Sequence, residues 1–246
     1  MNISIFNLNC WLFPSPLSTD CLKRLSTIVS MIEAQNPEIV TLQEVWSNKY
    51  IFYLKKRLPQ YFFISSETLF YNQSGLVTLL KQKPLHHRIK FFKLSFRHNL
   101  TEIFFHKGYI TANIEINGEK WTIVNTHLYA AFSKKTEIIT REQFDNIILT
   151  AQETSVILSG DLNLTEEKFN QINQEKFSRL CDSQITLGDP NNPYAYKRFN
   201  KFMVKNKKID YMLYYYNKAL NSKYEIVKTP FVSDHYPMFC KINNPL

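Results

Sequence analysis

Glycine is scarce, at five in 246 residues. So few argue against repeat architectures and long flexible linkers. Cysteine is scarcer still. Cys10, Cys21, Cys181 and Cys240 form no Cys-x-x-Cys pair and no zinc spacing. They are expected to be free, mostly buried thiols in a reducing compartment. No apolar run reaches the length of a membrane span. The first nine residues, Met1 to Asn9, alternate like a strand and lack the basic-then-apolar layout of a leader. The expectation is a soluble chain, cytoplasmic or exported without a leader, that touches membranes only from outside the bilayer. No internal repeat and no low-complexity segment is visible. Acidic residues are outnumbered, 21 against 30 Lys and Arg, for a net charge of +9. That balance points to an anionic partner: nucleic acid, a phosphorylated head group or a membrane surface.

Hydrophobic residues make up 44% of the chain, enough for a sizeable core. No composition break marks a linker, so residues 1–246 read as one domain. Alternation predicts a first strand over 2–9. A helix is expected over 20–35, with Leu22, Leu25, Ile28, Val29 and Ile32 inward and Ser18, Thr19 or Asp20 as cap. A strand over 38–43 delivers Glu44, and a second helix follows near 47–57. Strands are expected at 61–65, 75–81, 86–94, 108–116 and 120–126, the last two joined by the hairpin signal Asn117-Gly118. Helices are expected at 134–151 and near 165–173, and strands at 155–158, near 208–214, near 223–228 and at 238–242. Strands alternating with helices around a β-rich middle suggest a layered α/β sandwich.

The chain is organised around Ser159-Gly160-Asp161-Leu162-Asn163, which follows the short apolar run Ser155 to Leu158. Alone it reads as a strand-end turn. The same polar character recurs at Asn9, Glu44, His127, Asp210 and Asp234-His235, each beside an apolar strand. Singly, each has an ordinary explanation as a turn, a helix-start carboxylate or a core histidine. Together they form the set that metal-assisted phosphoryl chemistry needs. Carboxylates hold a hard cation, a His beside an acid takes a proton from water, and Asn and His donors meet charge on phosphoryl oxygens.

Seven stretches occur in order: Leu8-Asn9-Cys10-Trp11, Leu42-Gln43-Glu44-Val45-Trp46, Lys107-Gly108-Tyr109, Thr126-His127-Leu128-Tyr129-Ala130, Gly160-Asp161-Leu162-Asn163, Ile209-Asp210-Tyr211 and Ser233-Asp234-His235-Tyr236-Pro237. This series resembles the endonuclease/exonuclease/phosphatase superfamily, the fold of DNase I, and within it most resembles the neutral sphingomyelinase branch. The resemblance implies a four-layer α/β (α+β) sandwich, two mainly antiparallel β-sheets flanked by helices. It implies hydrolysis of a phosphodiester with Mg²⁺, for which Mn²⁺ or Co²⁺ could substitute. By motif, Glu44 is the principal metal ligand with Asn9 beside it. His235 is the general base, oriented by Asp234. Asp161 and Asn163 position the water and bind phosphoryl oxygens. His127 stabilises the transition state or aids the leaving oxygen, held by Asp210. Lys107 and Tyr129 are placed on the substrate path, Tyr129 standing where the family often carries His.

Two basic, aromatic-laced stretches, Lys81 to Lys107 and Lys197 to Lys208, suit an anionic membrane interface or single-stranded nucleic acid. The favoured substrate is sphingomyelin or a related phospholipid, met at a membrane surface by a monomer and cleaved to release phosphocholine. A phosphoinositide phosphatase or a Mg²⁺-dependent nuclease is the alternative, and nucleic acid the less favoured partner.

Overall fold

The computed structural model describes residues 2–14, 17–93, 105–130, 134–151, 155–173, 176–182, 185–189, 191–194 and 207–243. Its elements run β1 (Asn2–Leu12), α1 (Cys21–Gln35), β2 (Ile39–Val45), α2 (Asn48–Arg57), β3 (Phe62–Glu67), β4 (Asn72–Leu80), β5 (His86–Phe91), β6 (Gly108–Ile116), β7 (Glu119–His127), α3 (Lys134–Ala151), β8 (Ser155–Asp161), α4 (Glu166–Asn173), β9 (Ser178–Arg179), β10 (Asp210–Tyr215), β11 (Asn221–Ile226) and β12 (Met238–Asn243). Two six-stranded sheets result, in the orders β11-β12-β1-β2-β4-β3 and β5-β6-β7-β8-β10-β9.

The sheets share one plan that the sequence does not repeat. Each has a single parallel pair at its centre, β1 with β2 and β7 with β8, and antiparallel neighbours elsewhere. A helix, α1 or α3, lies in each crossover, as parallel neighbours require. The C-terminal ends of a parallel pair lie side by side, the usual place for a ligand in an open α/β sheet.

Side-chain alternation fixes the layers. In β1, Phe6, Leu8, Cys10 and Leu12 join Leu25, Ile28, Val29 and Ile32 of α1 and Tyr50, Ile51 and Leu54 of α2 in an outer core. Ile3 and Ile5, of the other parity, meet Ile110, Ile123, Ile157 and Met212 of the second sheet. Beyond that sheet, Val124, Val156, Leu158 and Leu213 pack on Phe144 and Ile147 of α3 and Phe169 of α4. Helices, sheet, sheet and helices therefore form four layers. Each fully buried aliphatic side chain adds about 1.5–3 kcal/mol.

Some local expectations shift. Leu22 and Ile138 are exposed, whereas Arg24 on α1 is buried. The cap of α1 is Asp20, which makes no side-chain cap bond; Ser18 donates instead to Trp11 O at 2.8 Å. The short strand β9 adds an edge that no alternation announced. Asn117 and Gly118 take φ of 53° and 81°, the two left-handed positions of a tight hairpin turn. All four cysteines are free, three of them buried. Among the described residues no helix is long and apolar enough to cross a membrane.

Candidate active site

The inward faces of the central strands change character along their length. Each begins apolar, at Ile5, Ile39, Ile123 and Ile157, and then turns polar. Asn7, Thr41, Gln43, Asn125 and Ser159 form a fully buried seam between the sheets. Thr41 Oγ1 donates to Asn7 Oδ1 at 2.9 Å and lies 2.8 Å from Ser159 Oγ. Gln43 Nε2 donates to Asn7 Oδ1 at 3.0 Å and to Asn125 Oδ1 at 2.8 Å. Asn125 Nδ2 reaches Val77 O at 3.0 Å. Each buried polar group added to this seam needs a partner, so the seam fixes how the sheets register on one another. The signal was in the sequence as Asn7, Asn125 and Ser159, polar residues two positions before Asn9, His127 and Asp161.

The next residues of the same parity are Asn9, His127 and Asp161, with Asp210 entering from the antiparallel neighbour. Strand register sets His127 and Asp210 on either side of Asp161. Asp161 Oδ2 is the hub. It accepts from Asn9 Nδ2 at 3.0 Å and lies 3.5 Å from His127 Nε2 and 3.8 Å from His235 Nε2. Its other oxygen accepts the Asn163 backbone N–H at 2.9 Å. That turn holds Asn163 at φ 50°, and the Asn163 carboxamide donates to Leu128 O at 2.9 Å. Gly160 has φ +153°, and a Cβ there would sit 2.0 Å from Thr126 O. Only glycine lets β7 and β8 close at this point.

Glu44 stands at the C-terminal end of β2, as the sequence suggested, one residue before its last. Strict alternation would turn it to the outer core. A break in register between Asn9 and Leu12 prevents this. Trp11 and Glu44 both take left-handed φ, 46° and 57°, and Leu42 and Val45, three residues apart, both face the outer core. A bulge of this kind re-aims a side chain next to a site. Glu44 Oε1 accepts from Asn9 Nδ2 at 2.9 Å. Its Oε2 is buried with no partner. Burial first, and then Asp234, push its carboxyl up to about 7. Burial and Asp210 push Asp161 up to about 6. Asp234 is also raised, chiefly by burial.

The pairing of histidines and acids differs from expectation. His235 Nδ1 lies 2.8 Å from Asp210 Oδ2. Asp234 Oδ1 is 4.0 Å away, on the Nε2 side. Asp210, not Asp234, therefore orients His235, and His127 pairs with Asp161, not Asp210. The reason is register: Asp210 opens β10 beside Asp161, where the loop before β12 brings His235. Asp234 instead accepts from Ser233 Oγ at 3.1 Å, and the same hydroxyl donates to Asn9 O at 2.6 Å. Burial disfavours a charged His235, but Asp210, Asp234 and Asp161 outweigh it and raise the ring well above its usual range. Burial, with the charges of Lys107 and His235, holds His127 well below its own. The two rings are thus shifted in opposite directions by the charges around them.

Lys107 is buried, its Nζ donating to Leu128 O at 2.9 Å, and its charge acts on Glu44, Asp161 and His127. Tyr129 is buried too. Its backbone N–H donates to Gln143 Oε1 at 2.8 Å and its carbonyl accepts from Thr140 Oγ1 at 3.0 Å. Of the two basic stretches, Arg97, Lys197, Arg198, Lys201 and Lys205 lie outside the described residues.

The donor set fits a hard divalent cation. An unpartnered carboxylate oxygen in a buried position is costly unless a proton or a cation meets it, and Glu44 Oε2 is such an atom. Asn9 serves here as the donor that bridges Glu44 and Asp161, with its own oxygen accepting from the Trp11 N–H at 3.1 Å. A second grouping, Asp161, Asp210 and His235, has ligand atoms within 4.8 Å of one another. Its His235 is already paired with Asp210, so Glu44 is the better anchor. Asp210 keeps one unpartnered oxygen.

The Endonuclease/Exonuclease/phosphatase family matches residues 6–235 of the chain. Sphingomyelin phosphodiesterase 2 of Mus musculus is 24% identical over 246 residues, covering 87% of this chain and 56% of that protein. Its Homo sapiens counterpart is 25% identical over 247 residues, covering 91% and 57%. The chain thus spans little more than half the length of these relatives. Sphingomyelinase C from Streptomyces griseocarneus superposes with a TM-score of 0.81 at 17% identity, covering 99% of this chain and 100% of that one. D. rerio TDP2, complexed with a single-strand DNA product, gives 0.79 at 18% identity, covering 99% of each chain. The two structural likenesses establish the two-sheet sandwich fold.

Proposed function

The chain belongs to the endonuclease/exonuclease/phosphatase family, and from that premise we propose that it is a metal-dependent phosphodiesterase whose substrate is sphingomyelin or a related phospholipid. One observation carries the reaction class: the His235–Asp210 pair faces Asp161, Asn9 and the unpartnered Glu44 oxygen in a single buried cluster.

The geometry supports a role for each residue. Asp210 holds the Nδ1 side of His235, leaving Nε2 toward Asp161 to take a proton from an attacking water. Asp161, pinned by the Asn163 amide, orients that water. His127, whose charged form burial disfavours, and Lys107 face the phosphoryl oxygens, one as a hydrogen-bond donor and the other as a fixed charge. Mg²⁺ held at Glu44 would offset the carboxylates that raise the His235 ring and would polarise a phosphoryl oxygen. The likeness to sphingomyelin phosphodiesterase 2 supports the lipid substrate. A net charge of +9 and the likeness to TDP2 support a nuclease as the second reading.

One panel separates them: sphingomyelin vesicles, phosphoinositide vesicles and plasmid DNA, each with Mg²⁺. Phosphocholine release that is abolished by chelator and by His235→Ala is the expected result. Plasmid nicking with inert vesicles would replace the lipid reading with the nuclease one.

A further inference from the structure

The three most exposed large apolar side chains among the described residues are Leu69 at 85%, Phe70 at 80% and Phe52 at 71%. They are neighbours. Leu69 and Phe70 form the tip of the turn between β3 and β4, with Tyr71, 40% exposed, beside them. Phe52 is on α2, and two bonds tie that helix to the same turn. Asn48 Nδ2 donates to Thr68 O at 2.8 Å, and Lys55 Nζ meets Glu67 Oε1 at 2.7 Å. Asn48, Phe52 and Lys55 stand at i, i+4 and i+7, one stripe of the helix. Phe52 therefore sits between the two tethers, alongside the turn.

Single exposed apolar residues need no explanation. A rigid apolar tip does. The Thr68 N–H and Oγ1 donate to Tyr71 O at 2.9 and 2.8 Å, and the Tyr71 N–H returns to Thr68 Oγ1 at 3.3 Å. Buried Asn72 then ties the base of the turn to β2, its N–H donating to Trp46 O and its Nδ2 to Val45 O, both at 2.9 Å. Val45 and Trp46 directly follow Glu44. The turn thus holds two large side chains out in water, on a frame joined to the strand that carries the proposed metal ligand.

The charge around the patch selects its partner. Residues 48–57 contain Lys49, Lys55, Lys56 and Arg57 and no acid. Lys55 and Arg57 are paired with Glu67 and Glu33. Lys49 and Lys56 are exposed and stand at i−3 and i+4 from Phe52. Apolar side chains flanked by cations match an anionic lipid interface, where rings enter the headgroup boundary and lysines meet lipid phosphates. We propose that the β3–β4 turn and the adjoining face of α2 form a docking surface for anionic lipid bilayers, with Leu69, Phe70 and Phe52 as the inserting groups. The docking deepens the phospholipid reading given above and rests on it for the link to catalysis.

Co-sedimentation tests the surface with vesicles of phosphatidylcholine alone and of phosphatidylcholine with phosphatidylserine. Wild type should pellet with the phosphatidylserine vesicles and far less with the others. Leu69→Ser with Phe70→Ser should weaken that binding about 10-fold or more. It should leave the melting temperature and the turnover of soluble bis(4-nitrophenyl) phosphate unchanged. Lys49→Gln with Lys56→Gln should lower the preference for phosphatidylserine. Equal binding by wild type and the Leu69/Phe70 variant overturns the proposal. So does a wild type that ignores vesicles, and so does a dimer in solution that the variant dissociates. Binding by wild type without phospholipid hydrolysis would leave the docking surface standing and remove only the lipid substrate.

Discussion

Arg24 joins two segments that the catalytic cluster needs side by side: its Nη1 donates to both Cys10 O and Val232 O at 2.8 Å. Cys10 follows Asn9, and Val232 precedes the loop that carries His235. Nη2 adds Trp11 O at 2.9 Å and Nε adds Thr19 O at 3.0 Å. A guanidinium can serve such a ring of carbonyls at once because its donors are fixed in a plane; an ammonium cannot.

Arg24→Lys is therefore expected to leave buried carbonyls unpaired, at about 2–3 kcal/mol in total. For a chain of this size that lowers the melting temperature by about 4–12 °C. Calorimetry reads it. A change under about 1 °C would mean that other bonds hold the two segments together.

Asp210→Asn keeps the shape of the site and removes the charge behind His235. Turnover should fall by about 10³–10⁴-fold at neutral pH, as when the orienting acid of a triad is lost. The His235 ring titration, followed by NMR, should move down, because Asp210 is the foremost of the charges that raise it. The companion Asp234→Asn should cost much less. Equal losses from the two would restore Asp234 as the orienting acid.

Stability should depend on pH in a direction set by Glu44 and Asp161. Their folded carboxyls titrate near 7 and 6, above the ordinary carboxylate range. The ion-free folded chain thus binds protons that the unfolded chain has released, and stability falls as pH rises through that window. In chelator, the melting temperature should be higher at pH 5 than at pH 8. Mg²⁺ should reverse the difference, because it binds the deprotonated form. In Glu44→Gln the Mg²⁺ response should be lost. A flat profile in chelator would mean that the two carboxyls are solvated.

Gly160→Ala tests the seam between β7 and β8. Its methyl would fall within bonding distance of Thr126 O, in a backbone conformation that favours glycine. Strand separation would follow, at about 2–4 kcal/mol. Loss of soluble expression or a broadened melt is expected; a native melting curve would show that the strands can part without cost.

Much of the frame was legible because it is local. The helix over 134–151 and the strand over 108–116 appear with the bounds the pattern predicts. Asn117-Gly118 makes its hairpin. The cluster was legible as membership: Asn9, Glu44, His127, Asp161, Asn163, Asp210, Asp234 and His235 all converge. Partnership was not. Which acid holds His235 depends on strand order, which places β10 next to β8. The inward turn of Glu44 depends on a bulge with no glycine to announce it. Arg24 stood on a helix face where a cation usually means solvent.

The polar seam carries a kinetic consequence. Neither sheet alone holds the site: Asn9 and Glu44 come from one, His127, Asp161 and Asp210 from the other. The bond from Asn9 to Asp161 closes across 152 residues. Strands and helices can form before any such contact exists, since distant pairings are late and slow. On refolding, regained turnover is thus a clock for the closure of one sheet on the other, and should lag the recovery of circular dichroism.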